Sequence, residues 1–102
     1  MGIFSFLGWG KGPLKKALAN GAVVIDVRTA NEYDRGRIPG SLNIPVDRIR
    51  VSIGRIRELQ KPIVLCCSSG ERSSKALAIL KENGIREVYN GGNWSTVMKW
   101  LG

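Results

Sequence analysis

The residues with the most chemistry in them lie in one segment, Ile63-Val64-Leu65-Cys66-Cys67-Ser68-Ser69-Gly70-Glu71-Arg72-Ser73. An apolar run of strand type leads straight into a short polar loop, and the loop leads straight into a helical pattern. Cys67 then stands at the carboxyl end of a strand and faces the start of a helix. Successive backbone N–H groups in such a loop form an anion-binding nest, and the helix dipole adds to it. Both lower a thiol pKa from about 8.5 towards neutrality. Arg72 supplies a permanent positive charge, and Gly70 permits the tight curvature. The chain contains no histidine, which removes Ser-His-Asp and Cys-His catalysis. Any nucleophile must therefore be activated by local dipoles and cations, as this loop would do. The expected reacting pair is Cys67 and Arg72, with Ser68, Ser69, Gly70, Glu71 and Ser73 forming the substrate-binding loop. The plainer alternative is a buried cysteine at a strand end with an ordinary loop after it.

The only other cysteine is its neighbour, Cys66. Adjacent Cα atoms lie about 3.8 Å apart, whereas disulfides want about 4.4–6.8 Å. The pair reads as free thiols in a reducing compartment, and the cytoplasm is the expected location. Strand alternation points Cys66 away from Cys67, into the core. Two cysteines without histidine make a poor zinc site, and neither metal nor cofactor is expected.

The elements that must position this loop follow from apolar pattern and turn residues. Pro13 opens a short helix over 13–20, ended by Gly21. Ala22–Val27 is apolar apart from Asp26 and reads as a buried parallel strand. Thr29-Ala30-Asn31-Glu32 is a capping box that starts a second helix, ending at Gly36. Ser41–Ile44 is a short strand. Residues 47–60 read as helical pieces broken near Gly54. Pro62–Cys66 is the strand before the loop. Residues 73–83 read as a helix stopped by Gly84, and 87–89 as a last strand. Gly91-Gly92 is expected to turn the chain, and Asn93 to cap a final helix carrying Trp94, Val97 and Trp100. Strands alternating with helices predict an α/β fold, a central parallel β-sheet flanked by helices on both faces. In such sheets reactive groups gather at the carboxyl ends of strands.

The chain has 102 residues, 43% hydrophobic and 24% charged, which suits one globular domain. No apolar run reaches the ~20 residues of a transmembrane segment. Residues 1–12 read as an apolar segment before the domain at 13–102. They lack a basic stretch of signal-peptide type, and Phe6 breaks the myristoylation pattern. The net charge of +8 favours anionic partners, whether small substrates, acidic proteins, RNA or a membrane surface. The plain reading of that charge is a solvated basic face. No stacking-aromatic RNA motif is visible, and DNA is not an expected partner.

Four segments resemble the rhodanese family. Cys67-Ser68-Ser69-Gly70-Glu71-Arg72-Ser73 is similar to the family's active-site loop. Ile25-Asp26-Val27-Arg28 with Glu32-Tyr33 resembles its first motif. Gly36–Pro45, reading Gly-Arg-Ile-Pro-Gly-Ser-Leu-Asn-Ile-Pro, resembles its second. Val88-Tyr89-Asn90-Gly91-Gly92 resembles its closing motif. The resemblance covers roughly residues 13–100 and implies the rhodanese α/β domain with its double displacement. Cys67 would take a sulfane sulfur from a small anionic donor such as thiosulfate and pass it to cyanide, a thiol or a protein acceptor. Arg72 would anchor the loop or the anion. Asp26 and Arg28 would lie close by as supporting residues, or form a structural ion pair. Arg37 stands where many relatives carry histidine. Glu71 places a negative charge in a loop meant for anions.

Two rival functions use the same residues. Counted from Cys66, the segment reads Cys-x5-Arg, the spacing of Cys-dependent phosphatases and arsenate reductases. Glu71-Arg72 also resembles the loop end of dual-specificity phosphatases that share the rhodanese fold. A tetrahedral phosphoryl group needs a wider loop than the six residues from Cys67 to Arg72. The position of Gly70, three after Cys67, favours Cys67 as the start of the loop. The second rival is a persulfide carrier or binding module without turnover of its own, serving an acidic acceptor protein.

Overall fold

Five consecutive residues with no side exposed to water, Ile63–Cys67, make the strand on which the other elements are arranged. The computed structural model describes residues 12–101. The apolar segment expected over 1–12 lies outside the described residues except for Gly12.

The chain runs α1 (residues 12–19), β1 (Val23–Asp26), α2 (Ala30–Asp34), β2 (Leu42–Asn43), two 3-10 turns (Val46–Arg48 and Arg50–Ser52), α3 (Ile53–Leu59), β3 (Ile63–Cys67), α4 (Glu71–Glu82), β4 (Val88–Asn93) and α5 (Trp94–Leu101). The sheet order is β2-β1-β3-β4, with every pairing parallel. This is the α/β architecture expected from the alternation. Parallel neighbours need crossovers; α3 and α4 lie in two of them and cover one face, and the terminal helices α1 and α5 cover the other.

Alternation along β3 divides the core. Ile63, Leu65 and Cys67 pack with Ile25, Val27, Ile56, Ala76, Ile79 and Leu80, beneath α3 and α4. Val64 and Cys66 face the other way, among Leu14, Ala17, Val24, Ile38 and Val97, beneath α1 and α5. The two adjacent cysteines therefore belong to opposite faces of the sheet, as period-two geometry requires.

The structure corrects four expectations. The expected break near Gly54 falls earlier, in the 3-10 turns, and Gly54 lies inside α3. The strands expected at 22–27 and 41–44 are trimmed to Val23–Asp26 and Leu42–Asn43. The helix expected from Ser73 begins at Glu71, because Gly70 takes a left-handed backbone, φ 94°, and forms the cap. Gly91-Gly92 is not a turn but the middle of β4. Leu65 faces Asn90 and Cys66 faces Gly92, so Gly91 is the extra residue of a bulge. A glycine pair reads as a turn from sequence; here it lets two backbones approach.

Gly91 shows how close that approach is. A Cβ there would stand 2.6 Å from Val97 Cγ2 and 3.0 Å from both Leu65 O and Val64 Cγ1. Backbone on one side and core side chains on the other leave it no room. Gly91→Ala should therefore destabilise the fold by about 1–3 kcal/mol, read as a lower urea midpoint. An unchanged midpoint would mean that the bulge yields freely.

Candidate functional site

Cys67 closes β3 and is 0% exposed. Its Sγ accepts the Gly70 N–H at 2.9 Å and lies 3.4 Å from Ser73 Oγ. The left-handed Gly70 folds the loop back so that amides at the start of α4 approach the sulfur. Burial alone pushes the thiol up. The Ser73 hydroxyl and the amides of Ser73, Gly70 and Ser69 outweigh it, and the thiol ends below its ordinary value. Donors stabilise the anion and not the neutral thiol, which is why they act in that direction.

Cys66 is the opposite case. Burial, with the Asp26 carboxylate adding and Arg28 opposing, pushes its thiol up to about 12. Its side chain belongs to the apolar cluster under α1 and α5, on the other face of the sheet from Cys67. The Cys66-x5-Arg72 spacing thus starts from a sulfur that faces away from the loop.

Arg72 is engaged in an ion pair. Its Nη1 and Nη2 donate to Glu32 Oε1 and Oε2 at 2.7 and 3.1 Å, and Nη2 also reaches Ser68 Oγ at 3.3 Å. The same carboxylate accepts the Thr29 N–H at 2.9 Å, closing the expected capping box of α2. One side chain therefore both starts a helix and ties the loop to it. The Arg72 guanidinium, with help from Thr29, lowers Glu32 to about 2.

Asp26 and Arg28 form a structural ion pair near the loop. Both are buried, and Arg28 Nη2 lies 2.7 Å from Asp26 Oδ2. Arg28 also donates to the Gly36 carbonyl at 2.7 Å and stacks 4.7 Å from the Trp94 ring. Ser68 and Ser69 are exposed, Gly70 is half-buried and Glu71 points to solvent. Ser73 is 0% exposed, so its hydroxyl serves the sulfur and not the surface of the loop.

Three polar residues in this region were not singled out as site residues from sequence. Glu32 carries a capping signal and a place in the first family motif, neither of which points to Arg72. Asn93 caps the final helix as expected, its Oδ1 accepting the Ser95 N–H at 2.8 Å. Its amide also donates to the Ser68 carbonyl at 2.6 Å, fastening the loop from the β4 side. Asn90 donates to Ser74 Oγ and accepts from Ser73 Oγ, at 2.8 and 2.6 Å. In sequence it is marked by its place in the closing motif, before Gly91-Gly92, with no role attached to it. Among the described residues no group of His, Cys, Asp and Glu side chains could hold a metal ion. A surface cavity of about 350 Å³, lined by residues such as Ile56, Gln60 and Arg86, lies elsewhere and includes neither Cys67 nor any residue of its loop. The Cys67 cradle is instead a closed loop around one atom.

Comparison with known proteins agrees with this fold. The rhodanese-like domain family matches residues 11–93. The chain belongs to that family. It is 41% identical over 69 residues to the uncharacterized protein YqhL of Bacillus subtilis, a match covering 68% of this chain and 54% of that one. It is 35% identical over 74 residues to the tRNA uridine(34) hydroxylase of Cronobacter sakazakii, covering 68% of this chain and 21% of the hydroxylase. The chain thus spans about half of the first relative and about a fifth of the second. Its fold matches the human single-domain sulfurtransferase TSTD1 with a TM-score of 0.68 at 29% identity, covering 84% of this chain and 89% of the human one.

The Glu32–Arg72 pair makes a pH-dependent contribution. A carboxyl lowered to about 2 from 4.5 stabilises the fold fully above the unfolded value, and that contribution fades as pH falls from about 4.5 towards 2. The Glu32 side chain is 38% exposed, so solvent screens the pair. Glu32→Gln should cost about 1 kcal/mol or less at pH 7. Urea denaturation should show the gap to wild type closing as pH drops below about 4.5. A gap that stays constant down to pH 2 would show that the charge contributes nothing.

Proposed function

We propose that this chain is a sulfurtransferase that carries a sulfane sulfur as a persulfide on Cys67. One observation carries the reading: a fully buried sulfur ringed by amides and one hydroxyl, with its thiol lowered in spite of burial. The family membership and the likeness to a single-domain sulfurtransferase support it. The hydroxylase activity of the tRNA-modifying relatives is not carried over, because the shared part is only about a fifth of those proteins.

The reaction has two displacements. The Cys67 thiolate attacks the sulfane sulfur of thiosulfate, an S–S bond forms on Cys67, and the donor's S–S bond breaks with its electron pair leaving on sulfite. Cyanide or a thiolate then attacks the outer sulfur, the new S–S bond breaks, and its pair returns to Cys67. The negative charge stays among the Ser69, Gly70 and Ser73 amides throughout, which is where a preorganised cradle helps most. Ser68, Ser69, Gly70 and Glu71 form the wall that the donor meets. Arg72 holds this wall through Glu32, and Asp26 with Arg28 supports it from beside β1. The phosphatase alternative loses the sulfur its spacing requires, since Cys66 lies on the other face.

The partners follow from charge and redox state. A net charge of +8 draws in a small anionic donor and suits an acidic acceptor protein. Both cysteines are free, which fits a reducing compartment such as the cytoplasm. No helix among the described residues is long and apolar enough to cross a membrane.

Steady-state turnover with thiosulfate and cyanide tests the reading. Cys67→Ser should lose about a thousandfold or more of kcat/KM, as removal of a nucleophile does. Cys66→Ala, in an apolar site, should keep turnover within a few-fold of wild type. Turnover surviving in Cys67→Ser, or vanishing only in Cys66→Ala, would sink the proposal.

A further inference from the structure

The Asn90 carboxamide is oriented by two backbone groups that leave it no choice. The Gly92 N–H can only donate, and it meets Oδ1 at 2.8 Å. The Gly70 carbonyl can only accept, and it meets Nδ2 at 3.3 Å. Oδ1 is thereby turned to Ser73 Oγ, 2.6 Å away. An amide oxygen has no hydrogen to give, so the Ser73 hydrogen must lie on this bond.

Ser73 has one hydroxyl hydrogen. While it rests on Asn90, the hydroxyl offers Cys67 Sγ, at 3.4 Å, only lone pairs. That suits a thiol, whose S–H can donate to the oxygen. It does not suit a thiolate, which needs the hydrogen turned towards sulfur. The Gly70 carbonyl, 3.2 Å from Ser73 Oγ, is a weaker competitor, since it already accepts the Ser74 N–H at 3.0 Å. Asn90 Oδ1 keeps the Gly92 N–H when the hydroxyl turns away, so neither position strands a buried acceptor.

We propose that Asn90 is a positioning residue that holds the Ser73 hydroxyl off the Cys67 sulfur in the resting protein, and so governs how readily that sulfur ionises. When the proton leaves Sγ for solvent, the Ser73 hydrogen swings about its Cβ–Oγ bond from Asn90 to the sulfur. No covalent bond changes at Ser73 or Asn90. The inference rests on Cys67 as the reacting sulfur only for its consequence, because what it describes is a titration.

The charged groups around the sulfur are otherwise accounted for. Asp26 and Arg28, at the end of β1, are paired with each other. Glu32 of α2 is paired with Arg72 of α4. Glu71 of α4 and Asp47 and Arg48 of the 3-10 turn point to solvent. Cys66 of β3 and Tyr89 of β4 pack on the opposite face of the sheet. A change at Asn90 or Ser73 alters none of these charges.

Thiolate absorbance in the ultraviolet, followed against pH in a Cys66→Ala background, tests the switch. The matching protein that also carries Cys67→Ser gives the baseline. Asn90→Ala should lower the Cys67 midpoint by about half a pH unit, the scale of one neutral hydrogen bond. Ser73→Ala should raise it. In the Ser73→Ala background, adding Asn90→Ala should shift nothing, because no hydrogen remains to compete for. Asn90→Ser keeps a small polar group at the bulge with its oxygen out of reach of Ser73, and makes the same test if the alanine variant does not fold. A midpoint that stays or rises in the Asn90 variants overturns the proposal. So does an equal fall with and without Ser73, which would trace the effect to a loosened loop. Sulfur transfer is not the readout, so this result stands apart from that of the turnover assay.

Discussion

A sulfur atom with no exposed surface can hold negative charge only where fixed donors take the place of water. Everything near the carboxyl end of β3 follows from that requirement. Burial of the strand on both faces fixes where Cys67 Sγ sits. The left-handed Gly70 brings the α4 amides round to meet it. The chain has no histidine, so these amides and the Ser73 hydroxyl are what offset the cost of burial. Cys66 is the contrasting case within the same molecule. It too has no exposed surface, sits deeper in the apolar core, lacks such donors, and its thiol goes up rather than down.

The charged side chains act around this cradle and not inside it. Arg72 and Glu32 join α4 to α2, and Arg28 and Asp26 lock the end of β1 beneath Trp94. Each cation has a carboxylate close by, so the local field at the loop is milder than the overall charge implies. The +8 balance acts at longer range, where it speeds encounter and is screened by salt. Positioning and attraction are thus separate tasks, done by different residues.

Local patterns in the sequence revealed what depends on neighbours along the chain. Buried parallel strands read as apolar runs, the Thr29–Glu32 capping box forms as written, and period two separates Cys66 from Cys67. Contacts between distant segments were not legible. Glu32 meets Arg72 across forty positions of chain, and no local rule pairs them. Gly91-Gly92 carries a turn signature, yet its purpose is to let β4 and α5 close on β3. Asn90 lies in the closing motif with no role of its own until the bulge places its amide against Ser73. In sequence Ser73 belongs to the segment that reads as the substrate-binding loop. One helical turn after Gly70 instead buries it against the sulfur.

The most direct measurement of the central claim is the intact mass of the protein after incubation with thiosulfate, with the added mass located by proteolysis under non-reducing conditions. The account predicts a gain of one sulfur atom on the peptide containing Cys67, lost on adding cyanide, retained in Cys66→Ala and absent in Cys67→Ser. No gain in the wild-type protein, or a gain that persists in Cys67→Ser, would contradict it.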